Sequence, residues 1–222
     1  MPGSSLIARF AALEDPRQSW KVLFPLPEVL LLVLCGTLAG AEDFVEIRRW
    51  GRMQQNFLRR LLPFKAGVPS HDTLNDVINA IDGALFAECF TAWVETLRDP
   101  ASAATPEIVA IAVVEAEVER GGHSSLERRY FLSSMPLDAK LFAYAVRCHW
   151  HVENRLHWVL DVVFHEDLSR LRSGAGPQNM ATVRHMAMNL PRRPKDKHSL
   201  KVRRKSAAWD TAYLEAMLRS SA

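Results

Sequence analysis

The sequence has few cysteines. Its 222 residues include three, Cys35, Cys89 and Cys148, which are far apart, odd in number and form no CxxC pair. A disulfide framework or a zinc ribbon requires paired or closely spaced cysteines, so neither is supported. Free thiols are typical of proteins in a reducing compartment, and we expect the chain to be cytoplasmic.

Long hydrophobic runs are also absent. The most apolar stretch, Val29 to Ala41, lies between Glu28 and Glu42 and contains two glycines. It is shorter than the ~20 apolar residues that a transmembrane helix needs, so we interpret it as a buried core helix. Residues 1–20 lack the basic start and apolar run of a secretory signal peptide.

The motifs of several enzyme classes are missing. The sequence contains no phosphate-binding loop, no GxGxxG, no GxSxG and no HExxH. These absences disfavour nucleotide-binding proteins, serine hydrolases and helical zinc peptidases. What remains is an ordinary globular composition, 48% hydrophobic and 24% charged. A chain of this length buries a core, and two small domains are our starting hypothesis.

Positive charge is concentrated in two segments. Arg192 to Lys205 carries eight Lys and Arg against one Asp, or +7, although the whole chain carries only +3. A second basic cluster runs from Arg48 to Lys65 and contains the aromatic residues Trp50 and Phe57. Such clusters indicate either polyanion binding or solvated basic faces.

The N-terminal half is predicted to be helical. Pro25 and Pro27 open an apolar helix that runs to Gly40, and a basic amphipathic helix is predicted over Phe44 to Leu62.

Two more helices follow before a linker. Ser70 to Thr73 supplies N-cap residue types ahead of apolar positions at helical spacing, and Phe86 to Leu97 continues that spacing after Asp82-Gly83. We predict a linker at 99–106, which is rich in alanine, proline and serine.

The pattern changes after the linker. Glu107 to Val118 is β-branched and partly alternating, which is typical of one or two strands, and Arg129 to Ser133 is predicted as another. Helices then resume, with a long amphipathic helix over Ala139 to Asp167 and a short closing helix over Ala207 to Leu218.

The predicted long helix carries a polar stripe. Five residues follow one another at intervals of four: His149, Glu153, His157, Asp161 and His165. Side chains at this spacing lie on one helix face, where imidazole and carboxylate groups can share a divalent metal. A solvated or inter-helix polar face has the same pattern, so both interpretations stay open.

The segment 149–167 resembles the signature HWxxENxLHWVLDVxFxED of the Rhs-linked, H-repeat-associated family of bacterial insertion-sequence transposases. Further positions are similar to the same family, so the resemblance covers nearly the whole chain. They are Asp15-Pro16-Arg17, Gly40-Ala41 and Pro69 to Thr73 in the N-terminal part, and Asn179, Arg184, Asn189, Ser199 to Lys201, Arg203-Arg204, Trp209-Asp210 and Tyr213-Leu214 in the C-terminal part.

The resemblance implies a catalytic domain of the ribonuclease H fold, in which two Asp and one Glu hold two Mg²⁺ ions. Two metals stabilise the attacking and leaving oxygens of an in-line phosphoryl transfer, so several carboxylates must converge. By this resemblance Glu153 is the third, catalytic carboxylate and a metal ligand, with His149 and His157 as further candidate ligands. The implied partner is DNA at the terminal repeats of the element.

The sequence departs from the family where the first two Asp belong. The first-strand segment Ile108 to Val113 contains no Asp. The residues after it resemble a segment that family members place just before the Glu-bearing helix, so the block with the second Asp is missing around Ile111 and Ala112. We therefore predict an internally deleted copy, inactive alone, with strand edges that must be covered or will associate.

These observations predict a mainly α fold with a few strands, in which a helical N-terminal module precedes a truncated ribonuclease H-like α/β domain. The predicted divisions are the module at 1–98, the linker at 99–106, the remnant of the transposase domain at 107–190, and a basic C-terminal tail with a short helix at 191–222.

The predicted function is that of a transposase-family protein of an insertion sequence, which binds DNA but is catalytically defective. Two alternatives stay open: a metal-dependent nuclease with a rebuilt His/Glu/Asp site, and a non-functional pseudogene product. An intact transposase or a second copy is a further predicted partner, whereas a membrane and a nucleotide cofactor are not expected. The candidate DNA-contacting residues are Arg48, Arg49, Arg52, Arg59, Arg60, Lys65, Arg192, Arg193, Lys195, Lys201, Arg203, Arg204 and Lys205.

Overall fold

A computed structural model of the chain describes residues 6–96, 110–120, 123–135, 138–149, 156–192 and 196–219. Helices dominate this part of the chain, and the only two strands described there form one antiparallel hairpin, which confirms the predicted mainly α class. The elements are α1 Leu6–Ala12, α2 Leu26–Leu38, α3 Phe44–Met53, α4 Gln55–Leu61, α5 His71–Ala80, α6 Gly83–Glu95, β1 Ala110–Arg120, β2 His123–Ser133, α7 Ala139–His149, α8 Trp158–Val163, α9 Gly176–Asn189, α10 Leu200–Trp209 and α11 Thr211–Arg219.

The chain divides into two compact units. The first, which we call the helical unit, combines Met1–Arg98 with Trp158–Ala222, and the second is Asp99–His157. The helical unit is continuous because α9 packs on α2, α5 and α6, and α10 contacts α2. The domain boundaries predicted from the sequence instead separate residues 1–98 from the C-terminal part. They also place a boundary between residues 190 and 191, which both lie inside the helical unit. The ribonuclease H-like remnant stays a prediction.

The core of the helical unit is α2. Pro25 caps its start and Pro27 occupies the first turn, where a missing N–H costs no helical hydrogen bond. Every other residue of α2 is buried, which confirms that the apolar stretch is a core helix. Among the described helices, none alone is long and apolar enough to cross a membrane. The α5 and α6 pair meets the length and composition criteria only jointly, with an 87° bend.

The predicted helix starts are confirmed at their caps. The Ser70 hydroxyl accepts a hydrogen bond from the Thr73 N–H at 3.1 Å, and Asp82 accepts from two N–H groups at the start of α6. The helix predicted over 44–62 is two helices, α3 and α4, which meet at Gln54. Its first turn is capped by Asp43, whose carboxylate accepts from the Glu46 N–H at 2.8 Å.

Asn179 attaches α9 to the end of α5. Its buried side-chain amide donates to the carbonyls of Ile78 at 2.7 Å and Ile81 at 3.0 Å. The last carbonyls of a helix have no partner within the helix, so these bonds satisfy groups that burial would otherwise leave unpaired. Asn79 returns the contact, because its Oδ1 accepts from the Gly176 N–H at 3.1 Å.

The second compact unit contains the hairpin and α7. β1 and β2 pair in a continuous register from Ala110↔Ser133 to Arg120↔His123, so the predicted strand at 129–133 is the end of a longer one. The rings of Phe131 on β2 and Phe142 on α7 pack edge to face, with centroids 5.6 Å apart.

The predicted C-terminal end of the long helix over 139–167 is wrong. α8 stops at Val163, and residues 150–155 lie outside the described residues. His165 has a φ of 50°, a left-handed conformation that ends a helix, and the Glu166 N–H bonds back to the Leu160 carbonyl at 3.0 Å. His165 is therefore not on the helix face of the predicted polar stripe.

The segment before α10 is held by Asp196. Its carboxylate accepts hydrogen bonds from the Tyr213 hydroxyl at 2.7 Å, the His198 N–H at 3.0 Å and the Arg203 guanidinium at 2.7 Å. These contacts join the segment to α10 and α11, which meet at Asp210. The short helix predicted over 207–218 therefore spans parts of two helices.

Gly51 allows α3 to approach α2. An added Cβ at this position would lie 2.5 Å from Leu32 Cδ1, whose side chain is fully buried. We expect Gly51→Ala to lower the free energy of unfolding by about 1–3 kcal/mol, because the core must shift to accept the methyl group. Urea denaturation measures this. Met53→Ala, at an exposed position of the same helix, should change stability by less than about 0.5 kcal/mol. Equal stabilities of the two variants would contradict the close packing.

The Asp196 contacts predict a pH-dependent contribution to stability. The Tyr213 hydroxyl, the His198 N–H and Arg203 hold the pKa of Asp196 at about 2, below its ordinary 3.8. The stabilisation is thus present above pH 3.8 and lost as the pH falls towards 2. In denaturation series, the difference between parent and Asp196→Asn should shrink across this window. Tyr213→Phe should move the loss towards pH 3.8, and a difference independent of pH would refute the network.

Candidate nucleic-acid interface

Of the predicted metal ligands Glu153, His149 and His157, only His157 has a described side chain. Glu153 lies outside the described residues, and of His149 only the backbone is described. His157 is exposed, and His165 is bound to Glu42 instead. Within the described ranges, no group of three or more His, Cys, Asp or Glu side chains is placed to hold a metal ion. The described residues by themselves therefore do not supply a two-magnesium centre.

The N-terminal basic cluster forms an exposed surface on α3, α4 and the loop that follows. Arg48 is half-buried, whereas five cations are exposed: Arg49, Arg52, Arg59, Arg60 and Lys65. We call these five the α3–α4 surface. The aromatic residues of this segment serve the packing: Phe57 and Phe64 are buried, and the Trp50 and Phe57 rings pack edge to face with centroids 6.3 Å apart.

Arg60 connects the α3–α4 surface to α11. Its guanidinium forms a 2.8 Å ion pair with Glu215 and lies 5.4 Å from the centre of the Phe57 ring. Since α11 packs on α10, the two predicted basic regions belong to adjoining parts of the helical unit.

The C-terminal basic run is split between structural and exposed residues. Arg203 is used within the fold, because its guanidinium donates to the Asp196 carboxylate and to the carbonyls of Pro191 and Asp196. Lys201 and Lys205 are exposed and lie one turn apart on α10. Arg193 and Lys195 lie outside the described residues, as does the side chain of Arg192.

Arg204 is buried, although we predicted it as a DNA contact. Its guanidinium donates to the Thr37 carbonyl at 2.8 Å, near the end of α2, and to the Val163 carbonyl at the end of α8. It also lies 4.0 Å from the centre of the Phe164 ring. Burial lowers the pKa of Arg204 to about 10, and the nearby Glu42 carboxylate opposes the shift. Arg204 is therefore cationic at neutral pH.

A cavity of about 350 Å³ lies beside Arg204. We call it the α10 cavity. Three segments build it: the turn after α2, the end of α8, and the face of α10 that carries Lys201, Lys205 and Trp209. Glu42 contributes the one carboxylate among its lining residues, and its Oε1 lies 2.5 Å from His165 Nδ1. Three cations against one engaged carboxylate make this cavity suited to an anion.

Reasoning from the sequence missed this cavity. Gly40-Ala41, the end of the 149–167 segment and Trp209-Asp210 each entered the sequence analysis as separate motifs, and nothing in their spacing indicates that they converge. The glycine at position 40 was the one local signal in the sequence. In the structure it has a φ of 96°, a conformation that favours glycine and that forms the turn after α2. The contact between Glu42 and His165 joins residues 123 positions apart, which a periodicity argument does not reach.

Comparison with known proteins identifies the family. The family model described as DDE_Tnp_1-associated matches residues 7–94. The chain is 23% identical to "H repeat-associated putative transposase YhhI" of Escherichia coli K12, over 97% of this chain and 98% of that protein. It is 47% identical to "Putative transposase YncI" of Escherichia coli O157:H7, over 41% of this chain and 24% of that protein.

A third relative is similar over most of its own length. The chain is 35% identical to "Inactive transposase YbfQ" of Escherichia coli K12, over 33% of this chain and 88% of that protein. No solved structure shows a significant match. The family model covers α1 to α6, and the match to YhhI extends across the C-terminal helices as well. The chain therefore belongs to the H repeat-associated family of transposases.

Proposed function

We propose that this transposase-family protein binds DNA at the ends of its element and does not transfer strands by itself. The observation that carries the proposal is the placement of charge. The α3–α4 surface and the lysines of α10 lie in one helical unit, to which Asp99–His157 does not belong. Exposed Lys and Arg supply the salt-sensitive phosphate contacts that dominate DNA affinity.

An internal deletion accounts for the missing carboxylates. The match to YhhI spans 370 positions although this chain has 222 residues, so at least 148 of those positions have no counterpart here. The segment 108–113 lacks the Asp that the family resemblance places there. Glu153 is then the remaining carboxylate of the triad, and one carboxylate does not hold two Mg²⁺ ions. Pairing with an intact transposase, or with a second copy, is part of the same proposal.

A mobility-shift titration tests the binding. We expect the purified chain to prefer a duplex of the terminal repeat over a scrambled duplex, with affinity that falls steeply between two salt concentrations. Arg52→Gln combined with Arg59→Gln should make the salt slope less negative by about 2, because about 0.9 is lost for each phosphate contact. The control is Lys140→Gln, an exposed charge in the second compact unit.

A nicking assay with Mg²⁺ or Mn²⁺ tests the catalytic defect. We expect the parent and Glu153→Gln to leave supercoiled DNA equally intact, because the carboxylates that two metal ions require are incomplete. Metal-dependent nicking by the parent that disappears in Glu153→Gln would establish a rebuilt nuclease site and refute the inactive assignment.

A further inference from the structure

We propose that the α10 cavity binds one unpaired nucleotide of a DNA strand, with its phosphate on the cationic side chains and its base stacked on Trp209. This inference rests on the proposed DNA binding and adds a specific ligand to it. The α3–α4 surface lies outside this cavity and has no part in its lining.

Arg204 places a fixed positive charge in the wall of the cavity. Its two terminal nitrogens donate to the carbonyls of Val163 and Thr37, which hold the guanidinium in place. The residue is 9% exposed and lines the cavity. A cationic group in a partly desolvated wall attracts an anion more strongly than the same group in open solvent, so this charge favours a phosphate in the cavity.

Lys201 and Lys205 supply the remaining positive charge. They are exposed on α10 at a spacing of four, which places them on the same face, and both line the cavity. Neither forms an ion pair with another side chain in the described ranges. The carboxylate in the lining, Glu42, is in contact with His165. Two unpaired ammonium groups beside a buried guanidinium therefore favour a phosphate.

Trp209 supplies a stacking surface at the same opening. Its side chain is 80% exposed at the end of α10, although it is among the residues that line the cavity. Exposed aromatic rings beside a cationic groove stack on unpaired bases of any sequence. In a duplex the faces of a base are covered by its neighbours, so this contact requires an unpaired nucleotide.

The size of the cavity sets the size of the ligand. Its volume of about 350 Å³ is at the lower end of the ~300–1,000 Å³ that small-ligand pockets occupy. It has room for a single nucleotide unit and none for a duplex. The phosphate can come from a DNA strand or from free phosphate ion, and the measurement below separates these sources.

The test measures binding of the full chain to a short single-stranded oligothymidylate, to the blunt duplex of the same strand, and to inorganic phosphate. We expect Trp209→Ala to weaken single-strand binding about tenfold, the effect of losing one stacked base, and to change duplex binding less than about twofold. Trp209→Phe should restore binding. Lys201→Gln with Lys205→Gln should make the single-strand salt slope less negative by about 1.4.

Trp20→Ala is the matched control. Trp20 is 77% exposed and also has a lysine beside it, with Lys21 Nζ 4.6 Å from the ring centre, but it does not line the cavity. An unchanged affinity in Trp209→Ala, or an equal loss in Trp20→Ala, would overturn the inference. So would a cavity that binds inorganic phosphate as tightly as the oligonucleotide and independently of Trp209.

The outcomes also separate this inference from the proposed function. If Trp209-dependent single-strand binding persists without a preference for the terminal repeat, the proposed function fails and the cavity assignment stands. If the repeat is preferred and Trp209→Ala changes nothing, the α3–α4 surface accounts for the binding and the cavity assignment fails.

Discussion

The helical unit depends on one buried cation at the ends of two helices. Arg204 on α10 donates to carbonyls near the C-terminal ends of α2 and α8 and stacks on Phe164. These ends carry unsatisfied carbonyls and partial negative charge, so a guanidinium placed there satisfies hydrogen bonds and gains from both helix dipoles. Those contacts offset the cost of desolvating a charge. Arg204 thus brings together α2, α8 and α10, which are far apart in the sequence.

The same principle recurs where α9 meets α5. Asn179 on α9 donates to the carbonyls of Ile78 and Ile81 at the end of α5. Side chains from the C-terminal segment thus complete helices of the N-terminal segment. Because Asp99–His157 is a separate compact unit, a change of length within it can leave the helical unit intact. Under the proposed internal deletion, the basic surface of the helical unit would therefore stay folded.

The sequence predicted the features that local patterns encode. The apolar helix α2, the cap at Ser70, the exposed cations of α3 and α4 and the mainly α class followed from hydropathy and residue type. It did not separate Arg204, which is buried, from Lys205, which is exposed, because adjacent basic residues differ only by the helix face they occupy. The end of α8 was missed for a similar reason. His165 continues the four-residue spacing of polar residues in the sequence, although its left-handed backbone lies beyond the end of the helix.

Hydrogen exchange of the intact chain tests most directly whether Arg204 joins the two segments into one cooperative unit. In Arg204→Met, we expect amide protection to fall together in the last turns of α2, in α8 and in α10, because the three share one buried partner. Lys205→Met, its exposed neighbour, should leave protection as in the parent. Loss of protection confined to α10 in Arg204→Met would contradict the account.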